Sequence, residues 1–208
     1  MELDFRKLYV TKLFNFSKED EKLIFEIHDR LSEKFTVSVV EIEDSPYPQF
    51  KSSDINFLQE PKLCYHITDN SKINSFYLLF VNTIGTTAKG TRTTDEYDTL
   101  EIWGLKKMNE NFGFISINKK KMADKIAGIF SRFNINFKES RDFKDFYVLG
   151  SDPYKTMAFL NSQRKEAVKA ITDGDFKLEV KNNIVGLAVP KALSTENALM
   201  ISKFLQEI

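Results

Sequence analysis

Gly85 and Gly90 bracket four residues in the run Gly85-Thr86-Thr87-Ala88-Lys89-Gly90-Thr91-Arg92. A phosphate-binding loop uses that glycine spacing to wrap backbone N–H groups around a phosphate, and follows it with Lys and then Ser or Thr. Here Thr91-Arg92 stand in those two places, and the residues beyond them read as a strand. No helix N-terminus would face the anion, so the run is not a phosphate loop. It lies within a polar stretch, Asn82 to Asp98, that carries five Thr between Thr86 and Thr94. That polarity predicts a long loop, placed to close over a ligand or simply to hang in solvent. Asp95, Glu96, Asp98 and Glu101 follow, with Trp103 just after them. Two carboxyl groups beside an aromatic ring suit glycoside hydrolysis or sugar contact, and the same acids also suit a solvated rim. Thr86, Thr87, Lys89, Arg92, Asp95, Glu96 and Asp98 are the candidate ligand contacts of the segment 83–98. The acids lack the spacing of a calcium loop, and no metal site is expected.

A second cluster is basic. Lys119-Lys120-Lys121 sits where a helix is expected to begin, with Lys106, Lys107 and Lys125 close in sequence. Cations at a helix N-terminus oppose its macrodipole, which makes that end a candidate anion site or a solvated lysine face. Cys64 and His66 share one face of an expected strand. A thiolate–imidazole pair is what cysteine chemistry requires, although a buried Cys and a hydrogen-bonded His fit equally well. His28 flanks a helical apolar stripe. The chain has no Gly-x-Ser-x-Gly, His-Glu-x-x-His or Gly-x-Gly-x-x-Gly motif.

These residues must be positioned by elements that the patterning supplies. Ser17-Lys18-Glu19-Asp20 is a helix start, and Leu23, Ile24, Ile27, Leu31 and Phe35 then recur on one face, with Glu26 and Arg30 spaced to pair on the wet side. Strands are expected over 36–42, 63–68, 75–81, 99–104, 112–117, 146–149, 176–181 and 184–189. Pro46, Pro48 and Pro61 predict a loop over 44–61, with a turn of helix over 54–58. Helices are expected from Asn118 to about Phe133, from Asp152-Pro153 to about Ile171, and from Ser194 or Thr195 onward. Asn182-Asn183 is a two-residue hairpin turn. About eight strands with recurrent hairpins and about four helices predict an α+β class with a largely antiparallel sheet. The chain reads as one domain over 1–208, and 105–111 is where it would subdivide.

Composition narrows the functional classes. Thirty basic and thirty acidic side chains balance among 208 residues, which provides no global field for nucleic acid. One Cys and two His cannot build a Cys/His zinc site. No apolar run approaches the ~18 residues of a spanning helix, and Met1 to Lys7 carry no apolar signal region. These features predict a soluble, cytoplasmic protein with no membrane insertion and no cofactor. Nineteen Phe beside a single Trp read as core residues, or less simply as a stacking platform.

The run Phe143-Lys144-Asp145-Phe146-Tyr147-Val148-Leu149-Gly150-Ser151-Asp152 leads into a helix, a strand, a turn and the apolar strand Ile184 to Pro190. Over roughly residues 112–190 this order resembles the bacterial domain-of-unknown-function family 3137. The chain departs from the family pattern at Met157-Ala158-Phe159-Leu160, where members carry an Arg-containing run. It also lacks the membrane segments that members often have. The resemblance implies a bacterial origin and no activity, because none is assigned to that family. The expectation is a non-catalytic domain that binds a protein partner or serves as a scaffold. The alternative is a small-ligand-binding or hydrolytic protein that uses the Thr-rich segment 83–98.

Overall fold

The computed structural model describes residues 16–50, 57–89, 93–120, 143, 145–190 and 193–208, and the backbone alone for 57, 85–89 and 93–98. Its frame is one eight-stranded, wholly antiparallel sheet. The strands are β1 (Thr36–Val40), β2 (Phe57–Thr68), β3 (Ser75–Lys89), β4 (Thr93–Lys107), β5 (Phe114–Lys119), β6 (Phe146–Gly150), β7 (Lys177–Lys181) and β8 (Ile184–Val189). Their order in space is β1-β2-β3-β4-β8-β7-β5-β6. The first four form a meander, and the last strand then returns to pair with β4. Four helices are described: α1 (Lys18–Ser32), α2 (Pro153–Phe159), α3 (Ser162–Lys169) and α4 (Thr195–Glu207). The α+β class and the antiparallel sheet read from the sequence are therefore the observed ones.

Local chemistry explains most boundaries. The Ser17 hydroxyl accepts the Asp20 N–H at 3.1 Å, and three acids fill the first turn of α1, where they face the positive end of the dipole. Ile24, Ile27 and Leu31 are fully buried on its inner face. Arg30 pairs with Glu33 rather than with Glu26, whose carboxylate instead accepts the Thr195 hydroxyl at 3.2 Å. Asp152 caps α2 by accepting from the N–H groups of Tyr154 and Lys155. The single helix expected over 152–171 is two helices. Leu160 leaves helical geometry, and the Asn161 side chain starts α3 by accepting the Arg164 N–H at 2.9 Å. Asn182 has φ of 59°, as the two-residue turn between β7 and β8 requires.

Two expected loops are strand instead. β2 begins at Phe57, so Pro61 lies inside it, at a register shift between Pro61 and Leu63. A bulge is where a strand tolerates a residue without an N–H. The segment 83–98 is not a loop either: β3 runs to Lys89 and β4 begins at Thr93. Thr is polar but β-branched, and its strand preference prevails here. Asn118 and Lys119 belong to β5, and the helix expected over 122–133 lies outside the described residues.

The sheet separates two apolar layers. One face carries α1 and α4 over a large core that includes Phe76, Phe80, Phe159, Phe176 and Phe204, so these Phe act as core residues. The other face carries a smaller cluster: Cys64, Leu79, Val81, Trp103, Leu105 and Ala188 lie under Tyr47 and Phe50. Two short 3-10 turns, Ile42–Asp44 and Tyr47–Gln49, supply that cover. The helix layer comes close because of Gly104. A Cβ there would stand 2.2 Å from Ile201 Cγ2 and 2.6 Å from Leu205 Cδ1. No described helix is long and apolar enough to cross a membrane.

Gly104→Ala is expected to destabilise by about 1–3 kcal/mol through overpacking, read as a lower denaturant midpoint. Adding Ile201→Ala should recover part of that loss, whereas independent sites would only add their costs.

Candidate functional site

The face of the sheet opposite α1 and α4, which carries no helix among the described residues, holds a cleft of about 190 Å³ where the cover ends. Gly186 and Ala188 of β8 form its floor, Phe50, Trp103 and Gln59 stand on one side, and Lys177, Glu179 and Lys181 of β7 on the other. Strand alternation puts them together. Trp103 lies opposite Ala188, which lies opposite Lys177, and Gly186 lies opposite Glu179. Paired residues share a face. Gly186 is necessary to the wall, because a Cβ there would sit 2.6 Å from the Phe50 ring. The ring is also capped by the Lys181 ammonium, 4.9 Å from its centroid, a cation–π contact.

Behind the wall lies a buried polar group of residues. The Trp103 indole donates to the Glu101 carboxylate at 3.2 Å, and Glu101 is only 4% exposed. Tyr47 meets Trp103 edge to face at 6.0 Å. Burial, and then the Glu101 charge, push the Tyr47 phenol up to about 12. Thr83 is fully buried directly opposite Gln59, and one step along the same face from Glu101. Neither the Tyr47 hydroxyl nor the Thr83 hydroxyl has a hydrogen-bond partner among the described residues. Both the carboxylate behind the wall and the one lining the cleft are engaged: Glu101 by the indole, and Glu179 by Lys181 at 3.4 Å.

The residues singled out by sequence fall elsewhere. Thr86, Thr87 and Lys89 are strand residues of β3, paired with Glu96, Asp95 and Thr93 of β4, and Asp98 pairs with Ile84. Their side chains, and Arg92 altogether, lie outside the described residues. Because β4 follows as strand, the rejected phosphate loop has no helix to serve it. Lys119 is the last residue of β5 and donates to the Ile171 carbonyl at 3.2 Å. Lys120 is exposed, and Lys121 lies outside the described residues. Cys64 and His66 do share one face, the face opposite α1 and α4. Cys64 is fully buried with its thiol toward the Tyr65 carbonyl, and His66 packs on Tyr77 at 5.0 Å. Among the described residues no group of three or more His, Cys, Asp and Glu could hold a metal ion.

Sequence reasoning missed Tyr47, Phe50, Gln59, Thr83 and the β7 charges as neighbours. The available signal was alternation. Lys177, Glu179 and Lys181 show it openly, but nothing local says that β7 lies two strands from Trp103.

Fold and cleft together define an α+β domain on an antiparallel sheet with a small mixed-charge site on its open face. No protein-family model matches the chain, and no curated protein or solved structure does either.

Two outcomes follow from this geometry. Gly186→Ala should push the Phe50 ring off its seat and shift the emission of Trp103, the single Trp, to longer wavelength. Tyr47 has a folded pKa above its unfolded one, so its contribution is full below pH ~10 and is lost as pH rises toward 12. Alkaline titration of stability should therefore slope downward between those values, and less steeply in Tyr47→Phe.

Proposed function

We propose that this chain is a non-catalytic binding domain whose cleft on the face opposite α1 and α4 takes a small polar ligand, neutral or zwitterionic, with a flat apolar side. The observation that carries this reading is the pair of buried hydroxyls unpartnered among the described residues, Tyr47 and Thr83, beside the Trp103–Glu101 pair. A buried hydroxyl without a partner costs about 1–3 kcal/mol, and such groups mark where a ligand or ordered water belongs. Trp103 and Phe50 give the cleft an aromatic wall, which suits a flat ligand. Lys177, Lys181 and Glu179 offer both signs of charge, which favours a ligand that is neutral or carries both. The non-catalytic part of the reading is supported by the engagement of the Glu101 and Glu179 carboxylates. A bacterial origin is part of the same proposal, supported by the resemblance over roughly residues 112–190.

Native mass spectrometry of the purified protein, followed by Trp103 fluorescence titration with monosaccharides, nucleosides and free amino acids, tests the reading. A retained small mass, or a saturable emission change with one class, is the expected result. Tyr47→Phe and Thr83→Val should then weaken binding while leaving the melting temperature at pH 7 unchanged or higher, since each removes an unpaired polar atom. Binding that survives both substitutions, or a panel with no response and no retained mass, overturns the assignment.

A further inference from the structure

A second, larger groove of about 550 Å³ opens at the end of β4, away from the cleft. Its walls are the β2–β3 turn at Ile73 to Ser75, the segment Lys106 to Glu110, Phe112, Arg164 and Ile208. Arg164 reaches it from α3. Its guanidinium lies 5.3 Å from the Phe112 ring centroid and 5.2 Å from that of Phe159, and Nη1 donates to the Phe159 carbonyl at 3.2 Å. Two rings and one hydrogen bond therefore hold the plane of the fork. Among the described residues no carboxylate forms a close ion pair with Arg164, and Glu110 of the same groove is the acid whose charge acts on it.

Lys106 is the second cation. It is 7% exposed, on the helix side of the sheet, and its ammonium donates to the Leu205 and Ile208 backbone oxygens, both at 2.8 Å. An ammonium has three N–H groups, so one remains. Burial, and then the nearby Arg164 charge, lower the Lys106 pKa. Two cations are thus brought together at partial burial, an arrangement that an anion between them relieves. Lys107 adds a third positive charge to the lining, and Glu110 is the one side-chain carboxylate among the described residues that line it. Ile73, 82% exposed, and Phe112 add apolar surface beside the charges.

We infer that this groove binds a small organic oxyanion, a carboxylate or phosphate on an apolar body, with Arg164 as the fork and Lys106 as the second cation. Arginine suits that role because its planar donors match two oxygens at once. Asn74, Ser75 and Asn109 line the same space and offer further hydrogen bonds. The site is independent of the cleft on the opposite face, so either assignment can fail without the other.

The test is an NMR titration of the full chain with phenyl phosphate and with benzoate, using benzyl alcohol as the uncharged control. The expected result is saturable shifts at the amides of Asn74, Ser75 and Asn109 with one or both anions, and none with the alcohol. Shifts with phenyl phosphate alone identify a phosphate ligand, and with benzoate alone a carboxylate. Arg164→Gln should weaken binding by about tenfold or more, the loss expected for one charge-assisted hydrogen bond. Asn109→Asp adds a carboxylate at an exposed position, so it should weaken binding several-fold without disturbing the packing around Arg164. It keeps the test decisive if Arg164→Gln does not fold. No response to either anion at millimolar concentration, equal binding of the alcohol, or unchanged affinity in the folded variants overturns the inference.

Discussion

No side chain fits at position 104, and the helix layer depends on that vacancy. Gly104 lies near the centre of the sheet on β4, and Ile201 and Leu205 of α4 occupy the space its Cβ would take. Two residues further along the same face, Lys106 holds the carbonyls at the end of that helix. One contact sets how closely α4 approaches, and the other sets where it stops. The lysine also places a positive charge at the negative end of the helix dipole, which offsets part of the cost of burying it. Because α4 in turn packs on α1 and α3, an error at β4 would spread through the whole layer.

The opposite face is organised by a different economy of cover. Among the described residues, 42–50 shield its middle, so Leu79, Val81, Trp103 and Leu105 are buried while β7 presents Lys177, Glu179 and Lys181. A cleft forms at the border between the two regimes, where an aromatic wall meets a charged strand. The border is also where buried polar atoms collect. Glu101, Gln59 and Thr83 face a layer too thin to be an apolar core and too closed for free solvent. Gly186 is to this face what Gly104 is to the other: the absent Cβ that lets an aromatic ring lie down on the sheet.

The fold was legible wherever one physical signal dominated. The Ser17, Asp152 and Ser194 caps, the apolar stripe of α1, the alternation of β7 and the Asn182-Asn183 turn all read directly, and all are present. Errors arose where two signals conflicted. Polarity at Thr83 to Asp98 suggested a loop, but β-branching and cross-strand pairing make it a hairpin. Pro61 suggested a break, but a bulge accommodates it. The site was much less legible. Its residues come from the 42–50 cover and from β2, β4, β7 and β8, and no spacing along the chain encodes that meeting. A strand pattern says which residues share a face but not which strand lies alongside.

That strand order also carries a kinetic consequence. β1 to β4 can zip together hairpin by hairpin, each turn bringing neighbouring segments into register. The junction between β4 and β8 has no such help. Ile102 must find Val189, and Lys107 must find Ile184, across about two fifths of the chain. Closing so long a loop costs entropy before any contact compensates it. Topology therefore favours a meander that forms first, with the outer edge of β4 unsatisfied until β8 pairs with it and covers an edge able to recruit a foreign strand.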